Sequence, residues 1–421
     1  MISKKFKFAC ISILLMISLI FINFCFASDS LYVWSNGANS IKNTSSSNNA
    51  VPTSTTPSND NSLNLESGSA ILIEQSSGNV LYAHNIHEQL RPASVTKVMS
   101  LLLIMEALNS NQISLDTPIP CSENAHSMGG SQIWLDTKET LTVNDMLKSI
   151  CVVSANDCTV AMAEYLAGSE EAFVQKMNER AKALGMNDTC FKNCHGIDEE
   201  GHYTTAKDIA IMSKELITKH PDIIKYTTIW MDSIRGGTFE LANTNKLLKT
   251  YNGMTGLKTG STSQALFNLS ATAQRDGLSL IAVVMKAPTS KIRNEEVTTL
   301  LNYGFSSYTS EKIGAKGEII DELRVNKNIS NKVKLVLEKD EYIISKKGET
   351  KEYIKTIKYN NVLKAPMEKG TVVGNIEYKD KEGNLIYNAN LVTEQDVEKS
   401  SLWEYIVYIT NIFTIKELKT V

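Results

Sequence analysis

The amino-acid sequence predicts an α+β protein, in which an antiparallel sheet with helices is followed by a small all-β domain and a C-terminal amphipathic helix. Three observations support this prediction. Strand patterns stand at both ends of a stretch over residues 67–305, with helical patterns between them. After residue 305 the helical period disappears and short alternating strands follow. Near the C-terminus, apolar residues recur at helical spacing.

The N-terminus has the pattern of a secretory signal peptide over residues 1–27. Lys4, Lys5 and Lys7 precede an apolar stretch, and Ala27 supplies a small residue for cleavage. An uncleaved transmembrane anchor is the alternative. Residues 28–66, which are rich in Ser, Asn and Thr, predict a disordered linker. We therefore expect an exported protein at the outer face of the cytoplasmic membrane or in the cell wall.

The elements of the first domain, predicted over residues 67–305, follow from local patterns. A strand–turn–strand signal opens the domain, and an Asp-Gly step marks a hairpin near its end. Helices are predicted where apolar residues recur every three or four positions. The predicted strands are 70–74, 79–82, 266–273 and 278–285. The predicted helices are 94–108, 142–166, 169–184 and 291–303. The second helical region is interrupted near Ser154, and Gly185 is the expected C-cap of the third helix.

The C-terminal part divides into two predicted segments. Residues 306–395 form the predicted all-β domain, with strands such as Lys332–Leu337 and Val372–Tyr378. Residues 396–421 form a tail in which Leu402, Ile406, Ile409 and Phe413 fall on one helical face. At about fourteen residues, the apolar stretch is too short to span a bilayer and predicts an interfacial anchor on a membrane surface. A helix or strand docked on the all-β domain is the alternative.

Charge and cysteine content exclude several classes of partner. The 421-residue chain has 43 basic and 46 acidic residues, and the resulting net charge of −3 argues against nucleic acid. Cys121, Cys151, Cys158, Cys190 and Cys194 follow the predicted signal peptide, and they have no metal-ligand spacing. A bridge between Cys190 and Cys194 stays open. We expect no metal and no cofactor.

Three short motifs carry the candidate chemistry. They are Ser94-Val95-Thr96-Lys97, Ser154-Ala155-Asn156 and Lys258-Thr259-Gly260, in that order. Ser94 and Lys97 are three residues apart at a helix start, so their side chains share one face. A neutral Lys97 amine would take the proton of the Ser94 hydroxyl, provided that burial or a neighbouring cation such as Lys258 removes the amine's charge.

The other two motifs complete a candidate site. Ser154 would relay a proton to a leaving amine, and Asn156 would hold Lys97 and a substrate amide. Lys258, with the hydroxyls of Thr259 and Ser261, would bind a carboxylate. The absence of a side chain at Gly260 would leave room for a substrate laid along that strand.

These motifs and their flanks resemble D-alanyl-D-alanine carboxypeptidases, the low-molecular-weight penicillin-binding proteins. The supporting strings are Arg91-Pro92-Ala93-Ser94-Val95-Thr96-Lys97, Asn193-Cys194-His195-Gly196 and Asn243-Thr244-Asn245-Lys246-Leu247-Leu248. The resemblance covers residues 67–395 and implies a β-lactamase/transpeptidase-like catalytic domain. It implies removal of the terminal D-alanine from peptidoglycan pentapeptide stems through an acyl-enzyme on Ser94, and covalent inhibition by β-lactam antibiotics. It also implies an oxyanion hole formed by the backbone N–H groups of Ser94 and a strand residue, which we assign to Gln264.

One departure and three alternatives accompany this interpretation. Some relatives have Arg where this chain has Thr244, which leaves open the group that assists Lys258 with the substrate carboxylate. A class A β-lactamase is disfavoured, because no Glu between residues 154 and 258 has Asn four positions later. A non-catalytic wall-binding protein would not need the intact Ser94 and Lys97. A D-alanyl endopeptidase acting on cross-linked muropeptides would use the same residues and remains an alternative.

Overall fold

The structure is a computed structural model that describes residues 63–328, 332–349, 352–360 and 363–417, without the side chains of 411–417. The predicted signal peptide and most of the predicted linker, residues 28–62, therefore lie outside the described residues. So does the side chain of Phe413, on which the predicted apolar face partly depends.

The first part of the chain contains a five-stranded antiparallel sheet with the order β2-β1-β9-β8-β7. Two further pairs, β3–β4 and β5–β6, lie outside this sheet. The strands are β1 (Ser69–Glu74), β2 (Val80–His84), β3 (Pro118–Pro120), β4 (Thr140–Thr142), β5 (Met231–Ile234), β6 (Phe239–Ala242), β7 (Met254–Thr262), β8 (Leu266–Arg275) and β9 (Leu278–Ala287). The N-terminal strand β1 thus lies inside the sheet, paired with β9 from the far end of the domain.

Most of the helices lie in the sequence between β2 and β7, among the short strands β3–β6, and one further helix follows β9. Short 3₁₀ helices span Ala93–Thr96, Pro221–Ile223 and Arg235–Gly237. The α-helices are α1 (Lys97–Asn109), α2 (Glu123–His126), α3 (Val143–Val152), α4 (Asn156–Ala167), α5 (Glu170–Ala183), α6 (Ala206–Lys219), α7 (Ile224–Thr227), α8 (Leu247–Thr250) and α9 (Ser290–Ser307).

Local signals explain several of these boundaries. The Ser169 side chain accepts a hydrogen bond from the Ala172 N–H and caps α5, and Gly185 beyond its end has a φ of +78°. Asp276 and Gly277 both have positive φ, which is the geometry that a two-residue hairpin between β8 and β9 requires. The predicted interruption near Ser154 is the gap between α3 and α4. Helix α6 was not predicted, although Thr205 caps it by accepting from the Asp208 N–H.

Two apolar cores lie on opposite faces of the sheet. One is formed by α1, α3, α4 and α6 with side chains such as Val98, Leu101 and Ile209. The other lies between the sheet and α9, where Val297, Leu300 and Leu301 are fully buried. The α+β prediction for this part is therefore confirmed, and the sheet forms a layer between helices.

The second part of the chain is built from β-strands, as predicted. One antiparallel sheet has the order β11-β12-β16-β15-β14, and β10 pairs with β13. The strands are β10 (Tyr308–Gly314), β11 (Ile319–Leu323), β12 (Val333–Leu337), β13 (Glu341–Lys346), β14 (Ile354–Tyr359), β15 (Val372–Lys379) and β16 (Leu385–Thr393). Their inward side chains, including Leu335, Ile376 and Leu391, form a separate apolar core.

The tail forms helix α10 (Leu402–Glu417). Leu402, Trp403 and Ile409 are exposed, at 74%, 71% and 50% of their full surface. Within the part of the chain that the structure describes, no helix combines the length and the apolar character that crossing a membrane requires.

Candidate active site

Ser94 lies in the 3₁₀ turn Ala93–Thr96, directly before α1. Its side chain is partly exposed and lines a cavity of about 220 Å³, which we call the active-site cavity. The preceding residue, Ala93, has a φ of +49° and is buried. Backbone geometry of this kind is uncommon for a residue with a side chain and clusters at functional sites. The active-site cavity is lined by Ser94, Ser131, Ser154, Thr244, Lys246, Thr259, Gly260, Ser261, Phe267, Ser290, Arg293 and Asn294.

Lys97 is fully buried and held by three oxygen atoms. Its Nζ lies 2.6 Å from Asn156 Oδ1, 2.7 Å from the His195 carbonyl oxygen and 3.2 Å from Ser94 Oγ. Burial, and then the neighbouring charge of Lys258, holds the pKa of Lys97 well below its usual value of 10.5. The two conditions that the sequence analysis set for a neutral amine, burial and a cationic neighbour, are therefore both present.

Ser154 and Asn156 lie where α3 gives way to α4. The Asn156 Nδ2 donates to the Gly129 carbonyl at 2.7 Å, and its backbone N–H donates to the Ser131 carbonyl at the same distance. These bonds fix the amide so that its Oδ1 faces Lys97. Ser154 has a φ of +66°, and its buried Oγ has no hydrogen-bond partner among the described residues. That hydroxyl faces the active-site cavity and is available for a proton relay.

Gly260 allows strand β7 to pack against the 3₁₀ turn Ala93–Thr96, which carries Ser94 and which we call the nucleophile turn. A Cβ at this position would lie 2.9 Å from the Pro92 carbonyl oxygen and the Val95 nitrogen, and 3.0 Å from the Ser94 nitrogen. We expected glycine here because it leaves room for substrate. The structure gives a second reason, which is that a side chain would push β7 away from Ser94.

Lys258 and Thr259 occupy the same strand. Lys258 is buried, its Nζ donates to the Thr259 carbonyl at 2.9 Å, and burial lowers its pKa to about 7. The Thr259 Oγ1 lies 2.6 Å from the Thr244 Oγ1, on the wall of the active-site cavity. Thr244, which stands where some relatives have Arg, therefore orients the Thr259 hydroxyl.

The predicted position of Gln264 on the strand beside Ser94 was wrong. Strand β7 ends at Thr262, and Gln264 lies in the exposed turn before β8, outside the residues that line the active-site cavity. Ser261 is still on β7 and lines the active-site cavity, and it directly follows Gly260, whose Cβ position lies 3.0 Å from the Ser94 nitrogen.

Sequence reasoning missed Arg293. This residue, in the first turns of α9, is 5% exposed and lines the active-site cavity. Its Nε and Nη2 donate to Asn294 Oδ1, and among the described residues no carboxylate forms an ion pair with it. Burial lowers the pKa of the Arg293 guanidinium to about 10, so the group is charged at neutral pH. A single basic residue on a helix gives no motif, and only the fold brings it to the cavity.

The cysteines that the structure describes are free thiols, including Cys190 and Cys194. The disulfide that the sequence left open is therefore absent from the structure.

A serine at the mouth of a cavity, with a buried lysine of lowered pKa beside it, defines an acyl-transferring serine enzyme. Comparisons with known proteins agree with this class. Residues 53–289 match the family model described as D-alanyl-D-alanine carboxypeptidase, and residues 308–399 match that of the penicillin-binding protein 5 C-terminal domain. The chain belongs to the D-alanyl-D-alanine carboxypeptidase family.

Individual relatives share most of their length with the chain. D-alanyl-D-alanine carboxypeptidase DacF of Bacillus subtilis is 43% identical over 339 residues, which cover 80% of this chain and 87% of the relative. The crystal structure of penicillin binding protein 5 from Haemophilus influenzae has a TM-score of 0.64 and 32% identity, and the match covers 80% of this chain and 98% of the other. Penicillin-binding protein D2 from Listeria monocytogenes, in its ampicillin-bound form, has a TM-score of 0.53 and 30% identity, over 57% of this chain and 98% of the other. The predicted family, fold class and enzyme class are confirmed.

Proposed function

We propose that this protein is a serine-type D-Ala-D-Ala carboxypeptidase that removes the terminal D-alanine from peptidoglycan pentapeptide stems. The observation that carries the proposal is the position of Lys97, whose buried Nζ lies 3.2 Å from Ser94 Oγ. Membership of the family supports the same reaction and substrate.

The hydrogen bonds of Lys97 explain how the amine acts as a base. A neutral amine has two N–H bonds and one lone pair. The Asn156 Oδ1 and the His195 carbonyl, at 2.6 and 2.7 Å, accept the two N–H bonds. The third position around Nζ then faces Ser94 Oγ, so the lone pair is directed at the hydroxyl proton that it must remove.

The reaction proceeds in two stages. Lys97 takes the Ser94 proton while Ser94 Oγ bonds to the carbonyl carbon of the D-Ala–D-Ala peptide bond. The resulting oxyanion receives hydrogen bonds from two backbone N–H groups. We assign these groups to Ser94 and Ser261, with Ser261 in place of Gln264. The C–N bond then breaks while Ser154 gives its hydroxyl proton to the leaving amine and takes up the proton held by Lys97, so that both groups return to their starting state and free D-alanine departs. Water hydrolyses the ester, which releases the shortened stem and restores the Ser94 hydroxyl.

Recognition of the terminal carboxylate is assigned to the cationic end of the active-site cavity. Thr259 and Ser261 offer hydroxyl groups there, and Arg293 offers a buried guanidinium with no carboxylate partner in the described part of the chain. Lys246 is exposed at the same cavity, and Lys258 adds charge from behind the strand. We therefore propose Arg293 as the group that assists Lys258 with the substrate carboxylate, because a guanidinium binds a carboxylate through two parallel hydrogen bonds.

The same chemistry accounts for inhibition by β-lactams. A β-lactam ring presents an amide carbonyl to Ser94 next to a carboxylate, as the D-Ala-D-Ala end does. Binding of ampicillin by the Listeria relative supports this assignment. We expect a covalent adduct on Ser94.

We propose roles for the N-terminal and C-terminal segments of the chain from their composition. A cleaved signal peptide over residues 1–27 and a linker over 28–66 would place the catalytic domain (67–305) and the all-β domain (306–395) outside the cytoplasm. The tail (396–421) would attach reversibly to a membrane surface. The exposure of Leu402, Trp403 and Ile409 on α10 supports attachment rather than docking on the all-β domain.

A product assay tests the proposal. The purified enzyme is incubated with a pentapeptide stem and, separately, with a cross-linked muropeptide dimer, and the products are identified by mass spectrometry. Loss of one D-alanine from the pentapeptide without cleavage of the dimer is the expected result. Faster cleavage of the dimer would make the enzyme an endopeptidase, and no cleavage of either by the folded protein would overturn the proposal.

A further inference from the structure

The segment Asn193–Ile197 packs against the back of the nucleophile turn. Gly196 has a φ of +94°, and a Cβ at this position would lie 1.9 Å from the Ala93 carbonyl oxygen and 2.9 Å from the Ser94 nitrogen. One residue earlier, the His195 carbonyl accepts a hydrogen bond from Lys97. A small displacement of this segment would therefore change the surroundings of both the nucleophile and its base.

Glu170, which is not among the residues that line the active-site cavity, contacts this segment. It is the first residue of α5, and its Oε1 accepts the Cys194 N–H at 3.0 Å. The same oxygen lies 3.4 Å from His195 Nε2. A single carboxylate oxygen thus contacts two consecutive residues, of which the second supplies the carbonyl that binds Lys97.

The imidazole of His195 is in the tautomer that suits this contact. Its Nδ1 accepts the Ile197 N–H at 3.2 Å, so the ring proton is on Nε2, which faces Glu170. Burial, followed by the charges of Lys97 and His202, lowers the pKa of His195 to about 3, even with the carboxylate nearby. The ring is therefore neutral around neutral pH, and the contact joins a ring N–H to a carboxylate.

We infer that Glu170 is a positioning residue for acylation, which fixes Cys194 and His195 so that the His195 carbonyl keeps the Lys97 amine directed at Ser94. The inference rests on the proposed function, in which Lys97 is the base. Glu170 touches neither the substrate nor the reacting atoms, and it acts through the backbone. With the carbonyl displaced, the amine has one orienting acceptor instead of two, and its lone pair is no longer held toward Ser94.

The test compares Glu170→Ala, Glu170→Gln and Glu170→Asp in the full-length enzyme. Glutamine keeps an oxygen acceptor of the same reach, whereas aspartate withdraws the carboxylate by one methylene. Glu171→Ala is the matched control, because Glu171 is the next residue on the same helix and is exposed. The rate constant for acylation by benzylpenicillin is measured from the covalent adduct in intact-protein mass spectra, per chain able to form the adduct.

We expect Glu170→Ala and Glu170→Asp to acylate on the order of 10- to 100-fold more slowly, since a misplacement of about 1 Å can cost about 10²-fold in rate. Glu170→Gln should recover most of the rate, and Glu171→Ala should match the wild type. The His195 carbonyl stabilises the ammonium form of Lys97 more than the amine, so its displacement should lower the pKa of Lys97. The acid limb of the acylation rate plotted against pH should therefore move to lower pH in Glu170→Ala. Lys258, Cys194 and Asp157 also influence Lys97, and none of them is changed.

The outcomes separate this inference from the proposed function. Failure of the wild type to form an adduct would refute the proposed function. Wild-type rates in Glu170→Ala, or an impaired rate with an unmoved acid limb, would overturn the role of Glu170. If Glu170→Ala does not fold, which a fall in the fraction of chains forming the adduct reveals, the comparison of Glu170→Asp with Glu170→Gln decides by the same criteria.

Discussion

Replacement of Arg293 by Met is expected to leave the unliganded enzyme at least as stable and to make the reaction slower. Burial lowers the pKa of Arg293 below its usual value, to about 10. One pKa unit corresponds to about 1.4 kcal/mol, so the charged guanidinium costs the folded state about 3 kcal/mol at neutral pH. Because the folded-state pKa is the lower one, this cost is fully present below about pH 10 and disappears as the pH rises toward the usual pKa of arginine.

Methionine fills much of the same space and carries no charge. The substitution removes the electrostatic cost and also the hydrogen bonds that the charged guanidinium donates to Asn294, which are worth about 1.5–3 kcal/mol. We therefore expect the free energy of unfolding of the catalytic domain to stay the same or to rise by up to about 1.5 kcal/mol, or up to roughly 6 °C in melting temperature. The substrate carboxylate loses a charge-assisted hydrogen bond worth about 1.5–3 kcal/mol, which lowers kcat/KM about 10- to 100-fold.

The assay uses a peptide ending in D-Ala-D-Ala and its C-terminal amide analogue, with D-alanine or D-alaninamide release quantified by mass spectrometry. The wild type should prefer the acid, and Arg293→Met should lose most of that preference. Lys291→Met is the control, since Lys291 lies on the same helix with 84% of its side chain exposed. An Arg293→Met enzyme that keeps the full preference for the acid would refute the role of Arg293 in carboxylate binding.

Four further predictions concern the remaining parts of the mechanism. Ser94→Ala should form no penicillin adduct in intact-protein mass spectra, and an adduct that persists would displace Ser94 as the nucleophile. Lys97→Arg should acylate about 10²–10⁴-fold more slowly, because the guanidinium stays protonated; near-normal kinetics would contradict the neutral amine. Lys258→Gln removes a cation that lowers the pKa of Lys97, so the acid limb of the acylation profile should move to higher pH. A mature chain ending at Glu398 should keep its peptidase activity but no longer sediment with anionic liposomes, and unchanged sedimentation would contradict a membrane-binding tail.

Features that depend on neighbouring residues were predictable from the sequence. The cap at Ser169, the Asp276-Gly277 turn and the break near Ser154 each rest on a few consecutive residues whose backbone preferences agree. The contact between Ser94 and Lys97 is equally local, since the two are separated by one helical turn. Helix α6 was missed although Thr205 and Asp208 gave an N-terminal signal. Its buried face includes Asp208 and Ser213, which interrupt the apolar pattern.

Features that depend on distant parts of the chain were not predictable. The place of β1 inside the sheet depends on pairing with β9, more than two hundred positions later. Arg293 reaches the active-site cavity only because β7, β8 and β9 pair in order, so that the first turns of α9 line the same cavity as Gly260 and Ser261 of β7. Its own sequence context gives no signal. Gln264 was misplaced because the length of β7 is set by its pairing with β8, which ends at Thr262 and Leu266. Without that register, no pattern separates the last strand residue from the first turn residue.

The pairing of β1 with β9 also has a consequence for the order in which the molecule forms. Of the five strands in this sheet, β1 is synthesised first and β9 last. The edge of β1 that pairs with β9 therefore stays without its partner until residue 287 has emerged. Pairings between such distant segments slow folding, because the loop must close before the contacts form. Ser94 and Lys97 come from the early half of the domain and β7 from the late half. A growing chain therefore carries the nucleophile and its base well before the strand that completes the active-site cavity, and it should become reactive toward penicillin only at the end of domain folding.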